Sequence, residues 1–362
     1  MNVEFIWICL SNCRIVKLSN YQIVFMSFFT EIKVPEFPWK MDYSKSMMFF
    51  GSCFSENIGQ KLLDLKFDID LNPFGILYNP VSIANSLKIL LEKRIFTSDD
   101  LVYDQGLWNS FYHHSRFSDV DRDIALEKIN GRIALSYEFL LKADFLMITF
   151  GTSWVYELVK TGRVVTNCHK VPAAEFKRFR LGVDEITEVY RELLDEIWRF
   201  NPNLKVVFTV SPIRHWKDGA VENQISKATL LLAIDHLITG FGGEKIRYFP
   251  SYELMMDELR DYRFYAEDML HLSPVAIDYI FERFGKVMIS NDSMQIAKYV
   301  VKIRKAVLHR PVNSASVEYE RFLLYNLEEI NKLTITFPYL NFANEKKHLE
   351  QDLAGIQESR IN

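Results

Sequence analysis

Cysteine is scarce in this sequence: Cys9, Cys13, Cys53 and Cys168 are the only four in 362 residues. Four cysteines are too few for a disulfide framework in a chain of this length. No Cys-x-x-Cys, His-Glu-x-x-His or His-x-His spacing occurs, and neither common glycine-rich phosphate-binding loop is present. We therefore predict no metal site, no nucleotide and no other cofactor.

Long hydrophobic runs and an excess of one charge are also missing. No stretch reaches about 18 apolar residues, the length that a membrane-spanning helix needs, so we predict no transmembrane segment. The formal net charge is −4 with both signs interspersed, which argues against a nucleic-acid partner. Because no basic region precedes the short apolar patch near the N-terminus, we predict no signal peptide and a cytoplasmic location.

The composition is that of a globular protein, with 49% hydrophobic and 25% charged residues. The length suits one large α/β domain with an appendage. Met26 begins a segment typical of a natural start, so we interpret residues 1–25 as a start-site extension. We expect the main domain at 26–290 and a helical C-terminal appendage at 291–362, where the pattern is helical and charged.

Short apolar segments alternate with helical patterns along the main domain. Near-continuous apolar strands are typical of a mostly parallel sheet that is covered by helices on both faces. The sequence therefore predicts an α/β fold. Residues 154–171 show neither pattern, and we expect them to be irregular or hairpin-like. The predicted strands are 46–51, 67–72, 144–151, 204–211 and 246–250.

Three predicted strands end in polar clusters, at 51–53, 151–154 and 211–215. Because ligands bind beyond the carboxyl ends of parallel strands, we expect the three clusters to meet at one site. In the first cluster, Gly51 permits a sharp turn from strand to helix. Ser52 and Cys53 then lie at a helix N-terminus, where a thiolate or an oxyanion is stabilised.

Asp268 and His271 form the second pattern with a chemical interpretation. A carboxylate three residues before an imidazole, on one short turn, can fix the tautomer and orientation of the ring. The imidazole can then accept a proton from a nucleophile elsewhere in the fold.

Two further polar segments carry candidate substrate contacts. In the segment 167–170, Asn167 can donate to an oxyanion and His169 lies close by in sequence. After the fourth predicted strand, Arg214 can hold a carboxylate or phosphate, and His215 follows it. Surface loops with ordinary hydrogen bonding are the alternative for both segments.

Several ordered segments together resemble the motifs of the GSCFA family, and they extend over about residues 40–285. That family is similar to the SGNH, or GDSL-like, hydrolases. The resemblance implies a flavodoxin-like, three-layer α/β/α fold and the cleavage or transfer of acyl esters, often on carbohydrates or lipids. The segments are Gly51–Ser55, Gly151–Glu157, Asn167–Pro172, Ser211–His215, Lys217–Gly219 and the Asp268/His271 pair.

The resemblance also implies roles. Gly51-Ser52-Cys53 corresponds to the Gly-Asp-Ser of the SGNH hydrolases, so Cys53 occupies the place of the nucleophile. Asp268 and His271 correspond to the closing pair that supplies the base and its orienting carboxylate.

This chain departs from the SGNH pattern at two positions. The nucleophile's place holds a thiol, with Ser52 one residue earlier, and Ser153 after Gly151 replaces the asparagine of the oxyanion hole. The resemblance then implies an oxyanion hole formed by the N–H of Cys53 at the Gly51 turn, by Gly151, and by either Ser153 or Asn167. A Cys–His–Asp set suits acyl transfer, since a thiolate both attacks and leaves readily.

Three functions remain open from the sequence. The leading hypothesis is an acyl-ester hydrolase or acyltransferase that forms an acyl-enzyme on Cys53 or Ser52, with a small-molecule, glycan or lipid ester as its partner. The alternatives are a carbohydrate- or lipid-binding module that has lost its chemistry, and a redox protein that uses Cys53 and Cys168. The sequence does not assign an oligomeric state.

Overall fold

The computed structural model describes residues 29–356 in full. Beyond them it describes the backbone of three N-terminal strands within residues 7–27 and the last helical turns to Ile361. The predicted start-site extension at 1–25 therefore lies outside the residues whose side chains are described. Among the described residues, no helix is long and apolar enough to cross a membrane.

The secondary structure alternates through most of the main domain, as the sequence pattern predicts. The strands are β1 (Trp7–Leu10), β2 (Arg14–Ser19), β3 (Gln22–Ser27), β4 (Ser46–Gly51), β5 (Asp68–Leu71), β6 (Val102–Asp104), β7 (Leu107–Asn109), β8 (Phe145–Phe150), β9 (Trp154–Leu158), β10 (Arg163–Val165), β11 (Phe176–Arg180), β12 (Lys205–Val210) and β13 (Ile246–Tyr248). The helices are α1 (Cys53–Asp64), α2 (Pro80–Leu91), α3 (Arg122–Lys142), α4 (Val183–Phe200), α5 (Gly219–Phe241), α6 (Ser251–Glu253), α7 (Pro274–Met288), α8 (Asn291–Val307), α9 (Val317–Thr336) and α10 (Ala343–Ile361).

The central sheet has five parallel strands in the order β13-β12-β8-β4-β5. Counted in chain order within the sheet, this is the 2-1-3-4-5 order of flavodoxin-like folds. Every residue of β4 and of β8 is buried, which explains their continuous apolar sequences. The predicted α/β fold class is confirmed.

Helices cover both faces of the sheet and complete three layers. On one face α2, α3, α4 and α5 pack in one apolar cluster, to which they contribute Leu87, Ile129, Leu193 and Leu230. On the other face α1 and α7 pack in a second cluster around Phe54, Ile58 and Phe284. Because the chain order changes direction between β4 and β8, their carboxyl ends leave a crevice at this point.

A small antiparallel sheet lies outside the three layers. Strand β9 pairs with β10 as a hairpin, which is the form expected for 154–171. It also pairs with β11, which the sequence pattern did not indicate. That pairing joins residues about twenty positions apart, so no local pattern reports it.

The C-terminal region is helical, as predicted. Helices α8, α9 and α10 share their own apolar cluster, which includes Leu323 and Leu349. Ion pairs from Lys66 to Glu345 and from Arg304 to Asp64 connect these helices to the end of α1.

The turn from β4 to α1 depends on Gly51. Its φ is +145°, and a Cβ at this position would lie 2.4 Å from the carbonyl oxygen of Thr149 on β8. Its N–H donates to the Oδ1 of Asn72 at 3.0 Å, and its carbonyl accepts from Leu77 at 2.9 Å. The first strand end is therefore held on both sides by its neighbours.

We expect Gly51→Ala to lower the free energy of unfolding by at least about 3 kcal/mol, because the methyl group meets backbone and the φ is strained. Gly131→Ala is the control: Gly131 lies in α3 with no atom within 4 Å of an added Cβ. That change should raise the stability by about 0.5–1 kcal/mol. Urea unfolding measures both, and equal effects of the two substitutions would contradict the role given to Gly51.

Candidate active site

Helix α1 begins at Cys53, immediately after the Gly51 turn. The Oγ of Ser52 caps the helix by accepting the N–H of Phe54 at 3.3 Å. The first N–H groups of a helix have no partner within the helix, so they and the helix dipole favour negative charge at this position. Cys53 is half-buried and has no disulfide partner. This is a suitable environment for a thiolate.

A cavity of about 640 Å³ opens at the carboxyl ends of β4, β8 and β12. It is bounded by the helix start at Cys53, the loop before α2, the β9–β11 sheet and the turn that carries His271. The structure therefore brings together six of the residues predicted from the sequence: Ser52, Cys53, Asn167, Arg214, His215 and His271.

Asp268 fixes His271, as the spacing predicts. Its Oδ2 lies 2.5 Å from the Nδ1 of His271, and its Oδ1 accepts the N–H groups of Leu270 and His271 at 2.9 Å. The hydrogen bond from the His271 side chain and those from the backbone lower the pKa of Asp268 to about 2. Asp268 is therefore a carboxylate throughout the neutral range, and His271 keeps Nε2 for other contacts.

Arg214 supports the turn between these two residues. Its Nη2 donates to the carbonyl oxygen of Met269 at 2.9 Å, and Met269 has a left-handed φ of 57°. A left-handed methionine is uncommon, so the contact helps to hold the conformation that brings Asp268 and His271 together.

Tyr78 is a site residue that the sequence analysis missed. Its hydroxyl lies 3.8 Å from the Sγ of Cys53, and its ring packs edge-on against His215. Its carbonyl accepts the N–H groups of Gly151 and Thr152 at 2.8 and 2.9 Å. Burial, and then the charge of the nearby thiol, raise the pKa of the phenol, so it remains a neutral donor.

Lys227 on α5 is a second missed residue, and it is fully buried. Its Nζ donates to the carbonyl oxygens of Gly151 at 2.7 Å and of Ser211 at 2.6 Å, and so joins the ends of β8 and β12. Burial lowers the pKa of Lys227 to about 7. Burial and the charge of Lys227 lower the pKa of His215 to about 3, so His215 is neutral at pH 7.

The remaining predicted residues lie outside the cavity lining. Ser153 is fully buried and donates its N–H and its hydroxyl to the Oγ of Ser226 on α5, at 2.8 and 3.0 Å. The Nε2 of His169 lies 2.8 Å from the carbonyl oxygen of Ser110. Gly51 and Gly151 are buried behind the cavity, where they shape the strand ends. Serine at position 153 therefore forms a structural contact here.

The wall opposite Cys53 comes from the β9–β11 sheet and the turn before α5. Arg178 on β11 makes two hydrogen bonds of 2.5 Å to the carboxylate of Asp218 and stacks on Trp154, 4.2 Å from the ring centroid. Tyr156 and Lys217 complete this wall and contact each other. No local sequence pattern indicates these contacts, because they depend on strand pairing between distant residues.

Cys53 and Cys168 line the same cavity, and both are free thiols. Burial raises the pKa of the Cys168 thiol, whereas the charge of Lys217 acts in the opposite direction. Among residues 29–356, no three histidine, cysteine or acidic side chains come close enough together to hold a metal ion.

Two protein-family models match most of the chain. The model of the GSCFA family matches residues 46–284, and the model of the GSCFA domain protein, C-terminal domain, matches residues 300–355. None of the curated protein sequences matches this chain.

Solved structures of esterases also match, at low identity. An acetyl xylan esterase from the rumen bacterium Butyrivibrio proteoclasticus is 12% identical, with 73% of this chain and 67% of that chain covered and a TM-score of 0.34. A carbohydrate esterase family 3 protein from Talaromyces cellulolyticus is 12% identical, with 70% and 98% covered and a TM-score of 0.33. These likenesses are weak, and the fold description rests on the sheet itself.

We expect Tyr78→Phe to slow alkylation of Cys53 by iodoacetamide about fivefold at pH 7. The reason is loss of one hydrogen bond to the thiolate, a contribution of about 1 kcal/mol. Tyr262→Phe is the control, since Tyr262 is exposed and lies outside this cavity. Rates are measured by mass spectrometry of the Cys53 peptide, and an equal rate in wild type and Tyr78→Phe would contradict the contact.

Lys227→Met tests the buried ammonium. The folded pKa of about 7 lies below the ordinary value of 10.5, so the unfolded chain binds more protons between these values. Stability from this group therefore rises with pH in that window. From pH 7 to 9 wild type should gain roughly 1 kcal/mol per pH unit relative to Lys227→Met in urea unfolding. A difference that does not change with pH would contradict the lowered pKa.

Proposed function

The chain belongs to the GSCFA family, and on that premise we propose that it is an SGNH-like acyl-ester hydrolase or acyltransferase with an acyl-cysteine intermediate. The observation that carries the proposal is the joint position of Cys53 and His271. Both line one cavity at the carboxyl edge of the sheet, and Asp268 holds the imidazole by Nδ1. A nucleophile, a base and an orienting carboxylate are the parts that covalent acyl transfer needs.

In the first step the Sγ of Cys53 attacks the ester carbonyl carbon, and the thiol proton passes to the Nε2 of His271. The tetrahedral intermediate collapses with cleavage of the C–O bond, and the leaving alcohol takes the proton from His271. Water, or the hydroxyl of an acceptor, then attacks the thioester and gives its proton to His271. The acyl group leaves as an acid or a new ester, and the thiol is regenerated.

The oxyanion is assigned to the N–H of Cys53 at the start of α1 and to the side chain of Asn167. Asn167 lines the cavity, and its Oδ1 accepts the N–H of His169 at 3.0 Å, which leaves the amide NH₂ as the donor for a ligand. Ser153 is less suitable because both of its donors already bind Ser226. Donors directed at the developing charge are among the largest contributions to such reactions.

Between the two candidate nucleophiles, the local structure favours Cys53. The Oγ of Ser52 caps α1, and the residue is only 1% exposed. Cys53 is more exposed and lies beside Tyr78. A thiolate also forms at neutral pH far more readily than an alkoxide.

The proposed substrate is an acyl ester of a carbohydrate or a lipid. The cavity is lined by both aromatic side chains, such as Trp154 and Tyr156, and polar groups that can form hydrogen bonds to hydroxyl oxygens.

The second candidate function is a carbohydrate- or lipid-binding module without turnover. The burial of Ser153 at the place of the oxyanion asparagine favours it. A Cys53 thiol that resists iodoacetamide in the folded protein, together with no turnover of aryl acetates or thioesters, would select this function.

Substitution of the two nucleophile candidates tests the enzyme. We expect Cys53→Ala and His271→Ala each to lower kcat/KM for 4-nitrophenyl acetate at least about 10³-fold, with no further loss when combined, because both act in one step. Ser52→Ala should keep most of the activity and lose about 1 kcal/mol of stability as a missing helix cap. Wild-type activity in the Cys53→Ala, Ser52→Ala double variant would exclude the proposal.

A further inference from the structure

The cavity of the candidate active site carries more positive charge than the rest of the molecule suggests. The chain as a whole has a formal net charge of −4. Three cationic side chains, Arg178, Arg214 and Lys217, line this cavity against one carboxylate, Asp218. The burial that lowers the pKa of His114 and His215 keeps both rings neutral near pH 7, so the positive charge comes from arginine and lysine.

The single carboxylate does not neutralise all three cations. Both oxygens of Asp218 accept from the Nη atoms of Arg178 at 2.5 Å, and this contact is the main cause of the lowered pKa of Asp218. Arg214 donates to a backbone carbonyl, and Lys217 donates to the phenol oxygen of Tyr156. Among the described residues, neither Arg214 nor Lys217 has a carboxylate within ion-pair distance.

Several buried side-chain nitrogens around this cavity have no hydrogen-bond partner among the described residues. Eight buried side-chain atoms in the described part of the chain have no hydrogen-bond partner, and four of them belong to residues that line this cavity. Indole and guanidinium N–H groups can only donate, so the nitrogens of Trp154, Arg178 and Arg214 are donors without an acceptor among residues 29–356. The four atoms are the Nε1 of Trp154, the Nε of Arg178, the Nε of Arg214 and the Nε2 of His215.

Arg214 is also held in place before any ligand arrives. Its guanidinium lies between the rings of Trp216 and Tyr265, 4.9 and 5.0 Å from their centroids. A cation fixed in this way loses little conformational freedom when it binds an anion.

From the positive charge of this lining, and from the two cations without a paired carboxylate, we infer that this cavity binds an ester carrying an anionic group, a carboxylate or a phosphate, beside Lys217 and Arg214. This inference rests on the proposed function, because it assumes that the molecule bound in the cavity is an ester. The anion itself can belong to the acyl group or to the alcohol.

A test that needs no turnover compares two alkylating reagents on Cys53. Iodoacetate is anionic and iodoacetamide is neutral, and peptide mapping separates Cys53 from Cys168. We expect the ratio of the iodoacetate to the iodoacetamide rate to exceed that of N-acetylcysteine about fivefold, because nearby cations attract the anionic reagent. The excess should shrink in 0.5 M NaCl, which screens the charges.

Lys217→Met should lower this ratio about threefold to fivefold, whereas Lys217→Arg should retain it. Lys160→Met is the matched control, since Lys160 is an exposed lysine at the tip of the same small sheet and outside the cavity. A wild-type ratio equal to that of N-acetylcysteine would overturn the inference. So would a raised ratio that Lys217→Met leaves unchanged.

Matched ester pairs identify the side that carries the anion. 4-Nitrophenyl hemisuccinate against 4-nitrophenyl butyrate tests the acyl side, and 3-carboxy-4-nitrophenyl acetate against 4-nitrophenyl acetate tests the alcohol side. One pair should show a preference for the anionic ester, as a ratio of kcat/KM values, and Lys217→Met should bring that ratio close to one. Turnover with no such preference in either pair overturns the inference alone. A lack of all turnover counts against the proposed function, while the alkylation ratio still decides the anion site.

Discussion

The close approach of Gly51 to the backbone of Thr149 is the constraint on which the site depends. Only a residue without a Cβ fits between β4 and β8 at this point, because an added carbon would lie 2.4 Å from a carbonyl oxygen. The positive φ then directs the chain away from the sheet, and Ser52 caps the helix that starts at Cys53. The position of the thiol is therefore a consequence of strand packing two residues earlier.

Hydrogen bonds to backbone groups also connect the neighbouring strand ends around the cavity. Lys227 joins the carbonyl groups of Gly151 and Ser211, and the N–H of Gly151 holds the carbonyl of Tyr78. The phenol of Tyr78 in turn reaches Cys53. A buried ammonium ion that no carboxylate neutralises is costly, and here it lies where the ends of β8 and β12 meet next to the cavity. The candidate site is thus built from strand ends that are tied together beneath it.

Local patterns predicted much of this molecule, and distant pairing explains what they missed. The buried strands β4 and β8 are continuously apolar, and Asp268 and His271 lie on one turn. The sequence pattern therefore predicts both the strands and the carboxylate–imidazole pair. Ser153 was expected in the oxyanion hole because of its place in a motif, but its partner Ser226 lies on α5, which no spacing indicates. The cavity wall formed by β9 and β11 was not predicted either, because the two strands pair across a long separation in sequence.

An acyl-enzyme trapped on a defined residue tests the central claim most directly. The full chain is treated with an activated aryl ester whose acyl group carries an alkyne. The reaction is then quenched in acid, and the labelled peptides are mapped by mass spectrometry. The account predicts one acyl group as a thioester on Cys53, released by neutral hydroxylamine and absent in His271→Ala. An adduct on Ser52, or none on the peptide that contains both residues, would contradict it.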